Sequence, residues 1–449
     1  MPQTTRVTCK KCLMPFEPRF IDKDGYCVVC DEHRKKWLHR DYEAAGRELE
    51  RVLSHFRERN RNHKYDCILA FSGGKDSVYA LHLLTKKLGM RPLAVTADNG
   101  LLTPVALSNM KKVVDQLGVD HLLVAGDEEE LRSLYRAFFR KTKNFCEICY
   151  LAIHNALGKA AIEYDVPLIV TGFAFKVDSS HFRAAHRYCF EDAFVSTVKE
   201  TVPAEVYEKY LTKTARAQTP VHLLHLFDYI NHIDSEIYQV LEDELGWESN
   251  NREDKHMDCR FHHMIGYLRM INNDLTSLAL MTPAALLRDG QISVEEFHER
   301  LEKEKASFGE VDRAQVEEFL EYFDVDEEFL TADIERPALA KPLVYPQDVD
   351  RSIQSHRRQG ADDYELIQVL FDAVRPELIR DGGDLRILSF ADDVLRIEFV
   401  GACRGCTIAD QVMMRYLEHM LRTHVSDRIK LENVKPLVSA AAAQKTKEA

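Results

Sequence analysis

The run Phe71-Ser72-Gly73-Gly74-Lys75-Asp76-Ser77, FSGGKDS, sets a turn of small residues between an apolar stretch, 67–71, and a helical pattern over 78–87. That order calls for a buried strand feeding a helix across a tight loop. Paired glycines let the backbone approach a polyanion, and the new helix offers its positive dipole end. Lys75, Ser72 and Ser77 add donors, and Asp76 is free to hold a magnesium ion. Glycine, four residues, then Gly-Lys-Ser or Thr is absent, which disfavours an ordinary phosphoryl-transfer NTPase.

Strands and helices alternate from there: strand 92–99, helix 105–117, strand 121–125, helices near 131–141 and 153–164, and strand 166–171. This alternation predicts an α/β fold with a doubly wound parallel sheet and ligands at the strand carboxyl ends. Those ends carry FSGGKDS, Asp98 and Gly172. An amphipathic helix precedes the sheet, with Leu49, Val52, Leu53 and Phe56 on one face. Residues 194–335 read as mostly helical and become strongly acidic from 294 to 328. Asp289-Gly290-Gln291-Ile292 has the glycine of a calcium loop but lacks its spaced upstream carboxylates, so it reads as the turn that starts a helix.

With 449 residues the chain predicts several domains. The expected divisions are a knuckle (1–35), the nucleotide domain (36–200), a helical accessory region (201–336), a linker (337–360), a small α+β domain (361–438) and a disordered tail (439–449). A net charge of -13 argues against a general nucleic-acid coat. Two locally basic stretches, 35–64 and 136–143, serve a tRNA site or a solvated helix face equally well. The start lacks the apolar core of a signal peptide and no run reaches bilayer length, so a cytoplasmic protein without a membrane span is expected. There the 11 cysteines should be reduced, which favours metal ligation or sulfur carriage over disulfides.

The cysteines fall into three groups. Cys9, Cys12, Cys27 and Cys30 form two Cys-x-x-Cys pairs, which suit one structural zinc ion. Cys146 and Cys149, joined by the distant Cys259, can hold three irons of a four-iron, four-sulfur (4Fe-4S) cluster and leave the fourth iron open. The competing readings are that the pair is a redox-active dithiol, or that Cys259 is merely buried. Cys403 and Cys406 open a helix after a strand, where the dipole favours thiolate. Two ligands leave three options: a cluster shared across a homodimer, carriage of sulfur or cluster, or a simple thiol pair. Cys67 and Cys189 read as core thiols. Lys176, His181 and His186 read as solvent-facing rather than substrate-facing, and Asp178 as either a second magnesium or substrate ligand or a surface carboxylate.

SGGKDS resembles the signature of the PP-loop ATP pyrophosphatases, which implies AMP transfer to an oxygen with release of pyrophosphate. CKKCLMPFEP, IDKDGYCVVC, YDCILAFSGGKDSVYALHLL and LAVTADNGLLT together resemble the N-acetyl sugar amidotransferase branch, over roughly 9–335 and including DGQISVEEF. That resemblance implies an adenylated acetamido sugar and ammonia from a separate glutaminase subunit. VRPELIRDGGDLRILSF and VGACRGCTIADQ resemble a NifU C-terminal domain, which carries iron–sulfur clusters. Relatives usually follow the second cysteine with proline and small polar residues, where this chain has Thr407-Ile408-Ala409. Cys146, Cys149 and Cys259 resemble the triad of cluster-dependent PP-loop tRNA thiolases, which bind sulfide at the unliganded iron. Together these features predict an ATP-dependent sulfurtransferase acting on a small molecule or tRNA, supplied by a sulfur donor such as a cysteine desulfurase. The alternatives are a sugar amidotransferase and an iron–sulfur scaffold.

Overall fold

The computed structural model describes residues 6–16, 18, 21–177, 201–211, 221–248, 258–272, 278–332, 347–380, 383–401 and 413–434. Cys189, Cys403, Cys406, Asp178, His181, His186 and the tail lie outside them.

A short ribbon, β1 (Val7–Thr8) with β2 (Pro15–Phe16), and helix α1 (Val28–Lys36) form the N-terminal knuckle. Helix α2 (Tyr42–Arg59) starts where the Asp41 carboxylate accepts the Ala44 N–H. Its Leu49, Val52, Leu53 and Phe56 are all buried, as their spacing requires.

The central sheet has five strands: β3 (Cys67–Ala70), β4 (Pro92–Asp98), β5 (His121–Ala125), β6 (Leu168–Thr171) and β7 (His222–His225). All pair in parallel, in the order β5-β4-β3-β6-β7. Strand β3 is central and apolar on both faces, with Cys67 and Leu69 in one core and Ile68 in another. The chain runs outward from β3 through β4 to β5 and then returns to β6 on the other side. This reversal creates the crevice between β3 and β6 in which doubly wound sheets bind ligands.

Helix α3 (Lys75–His82) follows β3, α4 (Pro104–Leu117) follows β4, and α5 (Glu128–Thr142) follows β5. Helix α6 (Cys146–Glu163) begins seven residues before the periodicity places it, because the Asn144 side chain accepts the Cys146 N–H at 2.9 Å. Cys146 and Cys149 therefore share the first turn of a helix. Strand β7 corrects the helical reading of its region: His-Leu-Leu-His is too short to declare itself and gains its ladder only beside β6.

Next come α7 (Ala204–Leu211), α8 (Asp234–Leu245), α9 (His262–Ile271), α10 (Leu278–Asp289), α11 (Val294–Gly309), α12 (Arg313–Phe323) and α13 (Glu327–Thr331). Ser293 caps α11 with Glu296 in a reciprocal box, so the Asp289–Ile292 segment is a helix-start turn. The acidic segment folds back on the nucleotide domain: Phe319 and Phe323 of α12 join Phe139 of α5, with Phe139 and Phe323 ring centroids 4.4 Å apart. Arg136, Arg140 and Lys143 are spent here on carbonyls of Tyr322, Asp324 and Leu330 at helix ends. Three cations of that basic stretch thus clasp the acidic segment to the nucleotide domain.

The C-terminal unit comprises α14 (Gln347–Arg358), α15 (Asp363–Arg380), β8 (Gly383–Ala391), β9 (Val394–Gly401), α16 (Met414–Met420) and β10 (Lys430–Asn433). Its core gathers Leu366, Leu370, Leu385, Ile397 and Leu417. Ile353 joins that core at 1% exposure, so part of the expected linker is a packed helix. Among the described residues no helix is long and apolar enough to cross a membrane.

Phe139→Ala should lower the unfolding free energy of the nucleotide unit by about 3–5 kcal/mol. Urea melts followed by tryptophan fluorescence and far-UV dichroism will measure the loss.

Candidate functional site

The knuckle turns four buried cysteines toward one point. Cys9 and Cys12 lie on the turn between β1 and β2, Cys27 is the N-cap of α1, and Cys30 sits in its first turn. Their four sulfurs all lie within 4.8 Å of one another. Cys9 and Cys30 are 3.8 Å apart and Cys12 and Cys27 3.7 Å. Metal–sulfur bonds of about 2.3 Å in a tetrahedron give sulfur–sulfur edges of about 3.8 Å, so the residues fit one metal ion. The Cys27 N–H points at Cys9 Sγ at 3.3 Å and the Cys30 N–H at Cys27 Sγ at 3.4 Å, which are acceptor roles for thiolates. Bonds from the other three thiols pull Cys9 far below the usual thiol range, whereas burial pushes Cys12 up. Four buried thiolates need a cation among them.

The phosphate loop is built by close approach. Gly73 takes φ +74°, and a Cβ there would stand 2.6 Å from the Ala106 carbonyl oxygen. Gly74 is the N-cap of α3 with no side chain of its own, which leaves first-turn N–H groups for an anion. Ser77 Oγ donates to the Gly74 carbonyl at 2.9 Å and accepts the Ser72 N–H at 3.3 Å. Trp247 Nε1 donates to the Gly73 carbonyl at 2.9 Å and pins the loop from behind. Gly172 follows β6, and a Cβ on it would meet the Asp76 carbonyl oxygen at 2.6 Å, so it lets the β6 loop lie against the start of α3. Asp98 ends β4, where its carboxylate accepts the Gly100 N–H at 2.9 Å.

Lys75 and Asp76 have partners that local sequence did not reveal. The Lys75 side chain, 2% exposed, reaches Asp76 at 2.6 Å and Asp234 of α8 at 3.0 Å. Burial alone would depress this ammonium, but the two carboxylates outweigh it and hold it above the ordinary lysine range. Burial likewise opposes the charge on Asp76, and Lys75 with His232 overrides it, leaving the carboxyl well below its usual range. His232 Nε2 lies 2.8 Å from Asp76 Oδ1. The Asp76 side chain still exposes 31% of its surface, a face open to a metal ion.

Gln291 braces this group from the far side: its Oε1 accepts the Asp234 N–H and its Nε2 donates to the His232 carbonyl, both at 2.9 Å. His232, Asp234 and Trp247 belong to no local motif. Gln291 lies within DGQISVEEF, so only the longer pattern marked it. Lys176 corrects its solvent-facing expectation: it is 8% exposed, 2.7 Å from Asn231 Oδ1 and 2.9 Å from Asp289. Cys67 is a buried core thiol, which burial pushes up.

Cys146, Cys149 and Cys259 meet at the carboxyl end of β4, one strand from the phosphate loop. The Cys259 segment pairs with the loop after β4 through a Leu102–Cys259 bridge and an Arg260 N–H to Leu101 carbonyl bond of 2.9 Å. The Asn99 amide points at Cys149 Sγ at 3.1 Å, and Tyr135 donates to the Asn99 carbonyl at 3.2 Å. Burial, then the charge of Cys146, pushes Cys149 up to about 12; burial, then Cys149, raises Cys259. The thiols thus sense one another. Among the described residues only the knuckle cysteines crowd within 4.8 Å, so this triad is spaced more widely than ligands of a single ion.

Residues 66–203 match the model of the phosphoadenosine phosphosulfate reductase domain, and residues 367–432 that of the NifU-like domain. The chain joins a PP-loop domain to a NifU-like domain. An uncharacterized protein of Methanocaldococcus jannaschii is 26% identical over 59% of this chain and 82% of its own length. The nitrogen fixation protein NifU of a Nostoc species is 30% identical over 20% of this chain, which spans only 30% of that relative. NMN synthetase from Francisella tularensis overlaps 66% of this chain and 98% of its own, with 14% identity and a TM-score of 0.27. An NH3-dependent NAD synthetase from Campylobacter jejuni overlaps 61% and 98%, with 12% identity and the same TM-score of 0.27. At that score neither superposition bears on the fold.

Gly172→Ala should displace the start of α3, destabilise the protein by about 1–3 kcal/mol and weaken ATP binding, read by thermal melts and calorimetric titration. Burial holds the His33 imidazole below the usual range of about 6.5, even with Asp289 opposing. A folded value below the unfolded one stabilises fully above the unfolded value and is lost as pH falls toward the folded value. Urea melts between pH 7.5 and 5 should therefore show stability falling below about pH 6.5, and His33→Gln should flatten that decline.

Proposed function

We propose that this protein adenylates a substrate carbonyl oxygen with ATP and then replaces that oxygen with sulfur. The observation that carries this reading is the convergence of Cys146, Cys149 and Cys259 on the strand end next to the phosphate loop. Loop amides, Ser72 and Ser77 cradle the outer phosphates of ATP, with magnesium on the open face of Asp76. Asp98 and Gly172 border the crevice that takes the nucleotide. The substrate oxygen attacks the α-phosphorus and pyrophosphate departs, which turns the oxygen into part of a good leaving group. Hydrosulfide then adds to the carbon, AMP leaves with the original oxygen, and loss of a proton yields C=S. Cys146, Cys149 and Cys259 would hold a 4Fe-4S cluster, which would supply the sulfide. The knuckle carries zinc in a structural role.

Cys403 and Cys406 resupply sulfur or cluster, charged by a donor such as a cysteine desulfurase, within a homodimer that shares those cysteines. The acceptor is a small molecule or tRNA in the cytoplasm. The fused NifU-like domain favours sulfur, since an ammonia-using enzyme has no need of a tethered cluster carrier. One feature supports a second reading: Gln291, from the stretch shared with sugar amidotransferases, braces the phosphate-loop group. In that reading a separate glutaminase delivers ammonia to the same adenylate.

Anaerobically purified protein should contain iron and acid-labile sulfide beyond what the knuckle metal explains, and both should fall in Cys146→Ser. A chain without iron, fully active with ammonia, would overturn the sulfur reading in favour of the amidotransferase. Asp76→Asn should lower pyrophosphate release by at least about a hundredfold while leaving the thermal transition in place. Unchanged turnover in that variant would remove adenylation from the proposal and leave an iron–sulfur scaffold.

A further inference from the structure

A chain of buried polar contacts connects the four-cysteine knuckle to the phosphate loop. It starts on α1, whose N-terminal turn supplies Cys27 and Cys30 and whose next turn carries His33. His33 Nε2 donates to Asp289 Oδ1 at 2.9 Å, because a carboxylate can only accept. The Asp289 side chain, 3% exposed, also accepts from Gln291 Nε2 at 2.8 Å and pairs with Lys176 at 2.9 Å. Gln291 in turn holds the His232 carbonyl and the Asp234 N–H. Those two residues contact Asp76 and Lys75 of the loop. One carboxylate therefore orients the amide that places both partners of the loop's charged pair.

Helix α1 has 9 residues, too few to persist alone in water. Two of the four sulfurs sit at its start, so a bound metal orders the helix and presents His33 to Asp289. Without that order Asp289 loses a buried donor, and the brace it holds on Gln291 slackens. The difference between the two states is a set of named contacts, as an allosteric coupling requires.

We propose that Asp289 is a positioning residue through which metal bound at Cys9, Cys12, Cys27 and Cys30 tightens nucleotide binding at the phosphate loop. The proposal rests on the reading of FSGGKDS as an ATP site. It gives the knuckle a second task beside holding its own fold: reporting metal occupancy to the catalytic loop over a path that never touches substrate.

The test is calorimetric titration of the full chain with magnesium ATP, zinc-loaded and chelator-stripped, alongside metal analysis. Stripping the wild type should weaken ATP binding by about tenfold. Zinc-loaded Asp289→Ala should keep its metal, bind ATP as weakly as the stripped wild type, and lose no more on stripping. His33→Ala should behave in the same way, and His33→Gln, which keeps a donor, should restore the metal response. The His33 pair carries the same comparison if Asp289→Ala does not fold. A wild type indifferent to stripping, or an Asp289→Ala protein that still responds tenfold, overturns the coupling. Zinc-loaded wild type that binds no ATP overturns the nucleotide reading itself, and this proposal with it.

Discussion

The buried ammonium of Lys75, held between Asp76 and Asp234, is the contact on which the arrangement of the site depends. A charge with 2% of its side chain exposed forfeits hydration worth several kcal/mol. It is tolerated only because two carboxylates surround it, one from the loop's own helix and one from α8, 159 residues further along the chain. Removing either carboxylate leaves the ammonium a single partner, so α8 is tied to the phosphate loop by this contact as well as by apolar packing. His232 and Gln291 complete the same group, and Trp247 fixes the loop from the end of α8.

The sheet supplies the frame for this group. Because β3 is buried on both faces, its carboxyl end is a fixed point, and the glycines at 73 and 172 let three backbone segments meet there without clash. The same geometry puts the end of β4 beside it. Asn99 and the Leu101–Arg260 pairing collect the three thiols there, while the aromatic cluster of α5, α9 and α12 packs behind them. The glycine loop and the three thiols thus sit on adjacent strand ends of one sheet.

Much of this was legible before any coordinates. Cys67 to Ala125 alternate strand and helix with clear apolar periods, and both ends of β5 and the carboxyl end of α4 fall where the pattern puts them. The doubled Cys-x-x-Cys spacing declared the knuckle. The start of α6 escapes the periodicity because the Asn144 side chain, one residue ahead of the Phe145 cap, turns the chain into a polar-looking Cys-Glu-Ile-Cys first turn. Strand β7 was missed because four residues carry no period of their own, and β10, equally short, because it forms only against β9. Lys176 was misplaced since a lysine in a loop gives no local sign that Asn231 and Asp289 will enclose it.

By itself the sequence determined the parallel α/β frame, the phosphate-binding turn and the four-sulfur knuckle, because each is written in residues close enough together for local geometry to dictate. Only the tertiary structure decided what surrounds the turn. The partners of Lys75 and Asp76 lie on a distant helix, and the thiols of Cys149 and Cys259 come together through a loop pairing. The knuckle reaches the nucleotide loop through Asp289 and Gln291. Buried charges and unpaired donors take whichever partner the packed chain brings within reach, and separation along the sequence says nothing about that distance.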